Sequence, residues 1–441
     1  MSSTHTATNS TYEQALEWLY QLESRGSKLG LERITALLQH VGNPQHSYPT
    51  IHVTGTNGKG SVCQYLTAMF TVAGYKTGLY ISPHLEQFTE RISINHNEIS
   101  FHQLCNLVDQ VKPVVIHLEK QGFEPTFFEV VTALAFLYFS QQNVDYAVIE
   151  VGLGGRFDAT NVITPIMSVI TNISLEHQHI LGTTLEKIAF EKAGIIKQHI
   201  PVVTAAEHPA LDIIRDIAQK QQAPLFTVTT DIWQRNKVND YHQEFRIQGS
   251  LQEYDVTTRL LGHFQGENLA CAIRVVEQLQ QQGVFFPDGS IEQGVAQANN
   301  PGRMEYFNGV RNILMDGAHN VSGLQQLATS LQQDFIYDRL VLVLGILKDK
   351  DLHTMISTIA PLADVVICTQ SSSPRSCPAE DLQTIFLEKG YRNQILVEPC
   401  IPQALERALQ QASPNDLICI TGSLFTVGEA RTVIQTLKKP I

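Results

Sequence analysis

The stretch Val53-Thr54-Gly55-Thr56-Asn57-Gly58-Lys59-Gly60-Ser61 constrains this chain most, because its glycines permit backbone conformations that other residues resist. The apolar run 51–53 predicts a strand and 61–72 a helix, so the glycines occupy the turn between them. Such a turn lets backbone N–H groups close on an anion at the helix N-terminus, and Lys59 adds a positive charge with reach. The stretch reads as a phosphate cradle. The usual P-loop places four residues between its glycines and a hydroxyl directly after the lysine. Here the loop is shorter, and Gly60 intervenes before Ser61. A tight strand-to-helix connection without a ligand is the bland reading of the same residues.

At 441 residues the chain exceeds what one core usually holds, so two domains are expected. A formal charge of −12 repels nucleic acid and anionic membrane, so neither is expected as a partner, and anionic ligands must be held by local devices. Seven cysteines without a C-x-x-C pair suit reduced, packed thiols. Residues 1–10 are polar and lack the basic and apolar regions of a secretory signal, so a frayed tail is expected. The apolar stretches 130–139 and 340–347 fall short of the roughly 20 residues that span a bilayer. A soluble, cytoplasmic protein is expected.

Along the chain, helical spacing of Leu16, Leu19 and Tyr20, then of Ile34, Leu37 and Leu38, predicts two opening helices. After the cradle and its helix, 76–81 predicts a strand that ends at Ser82-Pro83-His84. A buried helix is expected over 127–139, and strands over 146–151 and 166–170. The cluster Gly152-Leu153-Gly154-Gly155-Arg156 lacks the last glycine of a dinucleotide fingerprint. Alternation over 225–260 suggests an antiparallel excursion. Turn residues at 298–302 signal a boundary, which gives domains 1–298 and 299–441. Beyond it, strands are predicted at 312–315, 340–344, 365–369 and 417–421, with a helix near 323–332. The pattern is that of a parallel α/β sheet in each part.

In open α/β sheets ligands gather at the carboxyl ends of strands. Ser82, Glu150 and His177 fall at or beyond such ends, and a hydroxyl, a carboxylate and an imidazole brought together could hold Mg²⁺. Each alone has a structural reading, and Glu150 could simply pair with Arg156. Lys192 ends a helical pattern, where a lysine commonly caps carbonyls. Beside a divalent cation it would be repelled, so a role in the site requires its charge to be removed or reversed. Asp316 and His319, in Asp316-Gly317-Ala318-His319-Asn320, follow a strand directly, and Arg303 just past the boundary could reach a phosphate. An ordinary turn and a solvated surface charge explain them equally.

Taken together, these residues resemble the folylpolyglutamate synthase/dihydrofolate synthase family of the Mur ligase superfamily. The pieces are 29–34 (LGLERI), 52–61 (HVTGTNGKGS), 82–85 (SPHL) with Glu90-Arg91-Ile92, 126–132 (TFFEVVT), 150–161 (EVGLGGRFDATN), 190–197 (FEKAGIIK), 301–305 (PGRME) and 316–320 (DGAHN). Several of them separate folate ligases from cell-wall members; the tail before Thr11 and 225–260 match poorly. The resemblance implies an α/β fold, in which a P-loop-containing, Mur ligase-type ATP-binding domain precedes a smaller Rossmann-like domain. It implies an ATP-dependent ligase that phosphorylates a substrate carboxylate and joins it to L-glutamate, with dihydropteroate or tetrahydrofolate species as acceptor; a monomer is expected.

Carried over by position, Thr56, Asn57, Gly58, Lys59, Gly60 and Ser61 bind the triphosphate, and Asn268, Arg303, Asp316 and His319 serve the nucleotide. Ser82, Glu150 and His177 match Mg²⁺ ligands. Lys192 matches a carbamylated lysine, whose anionic form would hold a second Mg²⁺. Lys59, His177 and Lys192 are the implied catalytic residues, and Pro83, His84, Phe127, Phe128 and Asp158 match the pterin site. Two other readings stay open. A cell-wall Mur ligase would need an N-terminal UDP-binding domain, whereas the cradle begins at residue 53. A nucleotide-dependent binding protein would have no need of a carboxylate-plus-lysine metal centre.

Overall fold

The computed structural model describes residues 11–437, apart from residues 27, 240 and 310. The expected tail, 1–10, lies outside the described residues. By contacts the chain forms two compact units. The first takes the chain up to His84, then Phe88–Thr229 and Cys271–Gly294; the second takes Leu85–Gln87, Thr230–Ala270 and the chain from Val295 onward. The boundary after residue 298 cuts the sequence once, whereas contacts group 85–87 and 230–270 with the later segment.

The first unit is built on strands β1 (Thr50–Thr54), β2 (Thr77–Tyr80), β3 (Ile92–Ile94), β4 (Asn97–Glu98), β5 (Tyr146–Glu150), β6 (Met167–Ile170), β7 (Val202–Thr204) and β8 (Leu225–Thr227). They form one sheet in the order β4-β3-β2-β5-β1-β6-β7-β8. The run β2-β5-β1-β6 is parallel, so four strand ends open on one edge: Ile81-Ser82, Val151-Gly152, Gly55 and Thr171. Every residue of β1 is buried, as a central strand covered on both faces must be. The expected opening helices are α1 (Tyr12–Gln21) and α2 (Glu32–His40), the helix after the cradle is α3 (Lys59–Val72), and α4 (Phe101–Lys120) follows. The apolar run 127–139 lies within α5 (Phe127–Gln141), which starts on a capping box between Thr126 and Glu129 and buries most of its length.

The second unit contains a six-stranded sheet of β12 (Glu305–Asn308), β13 (Asn312–Asp316), β14 (Leu340–Leu344), β15 (Val365–Gln370), β16 (Gln394–Cys400) and β17 (Leu417–Thr421), in the order β12-β13-β17-β14-β15-β16. Only β12 runs antiparallel. The excursion is a three-stranded antiparallel sheet of β9 (Trp233–Val238), β10 (Gln243–Gln248) and β11 (Glu253–Thr258). Its alternating burial follows the two-residue period of a sheet with one covered face. Residues 225–227 depart from that expectation and join the first sheet as β8. No helix among the described residues is long and apolar enough to cross a membrane. None of the seven cysteines is in a disulfide, and only Cys400 is exposed.

His52 lies in the middle of β1 and is fully buried. Its Nε2 is 2.8 Å from Thr160 Oγ1. That hydroxyl donates to Asp158 Oδ1 at 2.5 Å, so the ring must carry its proton on Nε2. Burial, then the charge of Lys197, pushes its pKa down to about 3. An unfolded His52 would take a proton near its ordinary pKa of about 6.5. Below that pH the unfolded state binds a proton that the folded state refuses until about pH 3, so stability falls as pH drops through this window. His52→Gln keeps a donor toward Thr160 and removes the titration. It should flatten the loss of stability between about pH 6 and pH 4 by up to about 1.4 kcal/mol per pH unit, measured by denaturant unfolding at several pH values.

Candidate active site

The cradle is shaped from β1 outward. Gly58 takes φ 85° immediately before α3, a conformation that suits glycine. The first N–H groups of an α-helix point out of its N-terminus, and in α3 these belong to the turn that starts at Lys59. The loop is laced to the segment after β6. Thr171 Oγ1 donates to Asn57 O at 2.6 Å, Asn57 N donates to Asn172 Oδ1 at 3.0 Å, and Thr56 N donates to Asn172 O at 2.8 Å. Thr54 Oγ1 donates to Gly154 O at 2.6 Å, which ties the cradle strand to the glycine cluster after β5. Thr171 and Asn172 follow β6 in a polar turn, and only the fold sets them against the cradle.

Two lysines meet on one carbonyl. Lys59 Nζ donates to Gly55 O at 3.1 Å and to Thr56 O at 3.0 Å, and Lys192 Nζ donates to Gly55 O at 2.6 Å. Lys192 ends the helix Leu185–Lys192 but does not cap it; its side chain runs inward and the residue is 4% exposed. Burial, then the charge of Lys59, pulls its pKa to about 7, against the opposing pull of Glu176 and Asp158. An amine so placed is substantially neutral near pH 7 and therefore nucleophilic.

Beside the cradle, Ser82 N donates to Glu150 Oε2 at 3.1 Å, so the strand ends of β2 and β5 bring those two together. The pairing of Glu150 with Arg156 does not form: Arg156 stacks on Phe190, its guanidinium carbon 4.1 Å from the ring centroid, and faces Glu191 at 3.9 Å. His177 takes φ 48° at the start of the short helix Gln178–Leu181, with Nε2 3.8 Å from Glu176. No group of three or more His, Cys, Asp or Glu side chains among the described residues is arranged to hold a metal ion. The hydroxyl and carboxylate at Ser82 and Glu150 are hard oxygen donors, the type Mg²⁺ accepts when water and phosphate complete its shell, so the donor set fits that ion.

The residues matched to a pterin site lie around the segments that follow β2 and β5. Gly152 has no side chain because Phe128 occupies the space: a Cβ there would lie 2.5 Å from its ring. Phe127 stacks with Tyr20 of α1, centroids 5.9 Å apart. Pro83 and His84 follow Ser82 directly, and burial with the charge of Arg91 pushes the pKa of His84 down to about 4. Asp158 is largely committed to backbone: Oδ2 accepts from Leu153 N at 2.8 Å, and Oδ1 accepts from the N–H and hydroxyl of Thr160.

In the second unit, Asp316 ends β13 and is buried, which raises its pKa. Its oxygens accept from Met304 N and Ala318 N, both at 2.9 Å, so it braces the turn that carries Arg303. Arg303 Nη1 donates to Gly317 O at 3.2 Å, and His319 Nδ1 is 2.9 Å from that same oxygen. The DGAHN turn therefore gathers Arg303, Asp316 and His319. Asn268, in the first turn of the helix Gln265–Gln281, is buried and donates to Gln265 Oε1 at 3.0 Å.

Residues 53–276 match the Mur ligase middle domain, and residues 302–424 match the Mur ligase, glutamate ligase domain. The fold and these domains define a Mur ligase. The chain is 36% identical over 428 residues to the dihydrofolate synthase/folylpolyglutamate synthase of Bacillus subtilis (strain 168), across 95% of this chain and 98% of that protein. Among solved structures, the Mycobacterium tuberculosis folylpolyglutamate synthase complexed with ADP superposes with a TM-score of 0.90 at 32% identity, over 98% of this chain and 100% of that one. The E. coli FolC structure in complex with DHPP and ADP gives 0.84 at 29% identity, over 98% and 100%. The chain belongs to the folylpolyglutamate synthase/dihydrofolate synthase family, whose members are ATP-dependent ligases.

A Cβ at Gly55 would lie 1.7 Å from Thr171 Oγ1. Gly55→Ala should therefore spread the cradle, lowering stability by about 1–3 kcal/mol and weakening ADP binding on the order of tenfold or more. Thermal unfolding and calorimetric titration with ADP measure the two effects.

Proposed function

We propose that this ligase joins L-glutamate to dihydropteroate, to the γ-carboxyl of reduced folates, or to both, through an acyl phosphate. The observation that carries the proposal is the pair of lysines converging on Gly55 O beside the Ser82–Glu150 contact. A carboxylate is a poor electrophile, and its approach to a triphosphate is opposed by charge. Lys59 and the N–H groups at the start of α3 would hold the phosphates and offset that charge. The acceptor's carboxylate oxygen takes the γ-phosphoryl group as its bond to ADP breaks; the amine of L-glutamate then attacks the acyl carbon, and phosphate leaves. Asn268, Arg303, Asp316 and His319 are proposed to serve the nucleotide. Pro83, His84, Phe127, Phe128 and Asp158 are proposed to receive the pterin.

Ser82, Glu150 and His177 would hold Mg²⁺, which when bound supplies charge neutralisation at the transferring phosphoryl group. The partly neutral Lys192 amine suits reaction with CO₂: a C–N bond forms, a proton leaves, and an anionic carbamate able to hold a second Mg²⁺ replaces an ammonium repelled by Lys59. Residues 1–298 are proposed as the ATP-binding domain and 299–441 as the ligase domain, in a monomeric cytoplasmic enzyme.

The direct test offers the purified protein dihydropteroate and tetrahydrofolate separately, with ATP, Mg²⁺ and labelled glutamate. ATP-dependent incorporation into at least one acceptor is expected, and Lys59→Ala should abolish it; a fully active Lys59→Ala protein would sink the assignment. Lys192→Ala should be poorly active and partly restored by a short carboxylic acid such as acetate. Mass analysis that finds a bare amine at Lys192 in the active enzyme would refute the carbamate.

A further inference from the structure

Arg91 lies in a motif for which neither the nucleotide nor the metal accounts. It is 7% exposed, at the end of the turn Phe88–Arg91 that leads into β3. Its guanidinium carbon stands 5.4 Å from the ring centroid of Phe127 and 5.8 Å from that of Phe88. Nε donates to His84 Nδ1 at 2.8 Å, which leaves the ring proton of a neutral His84 on Nε2. No ion pair of Arg91 occurs among the described residues; Glu23 and Glu90 favour its charge only from a distance. Burial accordingly lowers its pKa. A buried guanidinium held by aromatic faces and one imidazole, with no paired carboxylate, is costly unless a ligand completes it.

Two of the side chains around this cation, His84 and Phe127, belong to the proposed pterin site, and the inference rests on that reading. With Nε engaged by His84, the end-on fork of two Nη–H groups remains. A fork of that kind pairs with two adjacent in-plane acceptors, as arginine does with O6 and N7 of guanine. A pterin presents the same pattern at the O4 and N5 edge when N5 is an imine nitrogen, as in dihydropteroate. In a tetrahydropterin N5 carries hydrogen and becomes a donor. We propose that Arg91 is a specificity-determining residue that reads the O4/N5 edge of the acceptor's pterin ring and favours dihydropterin over tetrahydropterin acceptors.

The test compares pteroate, which has the N5 acceptor, with 5-deazapteroate, which has C–H there, by calorimetric titration of the full chain in the presence of ADP and Mg²⁺. The wild type should bind 5-deazapteroate about tenfold or more weakly, and Arg91→Lys, which lacks the planar fork, should bind both alike. In turnover, Arg91→Lys and Arg91→Met should raise KM for dihydropteroate by a similar factor. They should leave KM for ATP unchanged and kcat within about threefold, with a smaller effect on tetrahydrofolate where that acceptor is used. Equal wild-type affinity for the two probes, or no binding of pteroate at all, overturns the proposal, and the probe comparison does not depend on a variant folding. Binding of pteroate without glutamate incorporation would overturn the ligase reading and leave the role of Arg91 to be decided by the same titrations.

Discussion

The carbonyl of Gly55 organises the first unit's chemistry. It accepts from Lys59 and from Lys192, so two cations from distant parts of the chain are held at one point of the phosphate cradle. Like charges placed that close in a buried setting cannot both persist at no cost. Lys192 answers by losing its hold on a proton, with its pKa near 7. The strands enforce the arrangement: β1 delivers the glycine, and the helix Leu185–Lys192 ends on the lysine. Gly155, whose absent Cβ would lie 2.7 Å from Lys192 O, lets the glycine cluster approach that helix end.

A second set of buried polar contacts surrounds the strand ends. His52 reaches through Thr160 to Asp158, and Asp158 in turn holds Leu153 N in the glycine cluster. Thr54, two residues after His52, holds Gly154 O. The strand that carries the phosphate loop therefore also braces the loop beside the aromatic residues Phe127 and Phe128. Paired polar groups in a dry interior resist displacement, because any break leaves a donor or acceptor unsatisfied.

Much of this was legible in the sequence because parallel strands covered on both faces are written as short apolar runs, and the ends of those runs are where polar residues stand out. The runs at 51–53, 146–151, 312–315, 340–344 and 417–421 correspond to β1, β5, β13, β14 and β17. The strands β12 and β16 lie at the edges of their sheet and are only partly buried, so they carry no comparable apolar signature. The lysine at 192 resembled a helix cap because a sequence shows where a side chain starts and not where it is drawn. Thr171, Asn172 and Arg91 escaped assignment for a related reason: an ordinary polar turn and a motif arginine acquire a role only through what the sheet places opposite them.

The interleaving of the two units has a consequence for how such chains can be cut or recombined. A crossover near residue 298 would carry 85–87 and 230–270 away from groups they engage: Arg235 pairs with Asp334 at 2.7 Å, and Glu86 pairs with Arg431 at 3.1 Å. Asp334 has a side chain only 2% exposed, and a buried carboxylate stripped of its cation is strongly unfavourable. Chimaeras that swap the halves as cassettes must therefore bring matched partners at these positions, and the natural seam of the molecule runs through five points of the sequence rather than one.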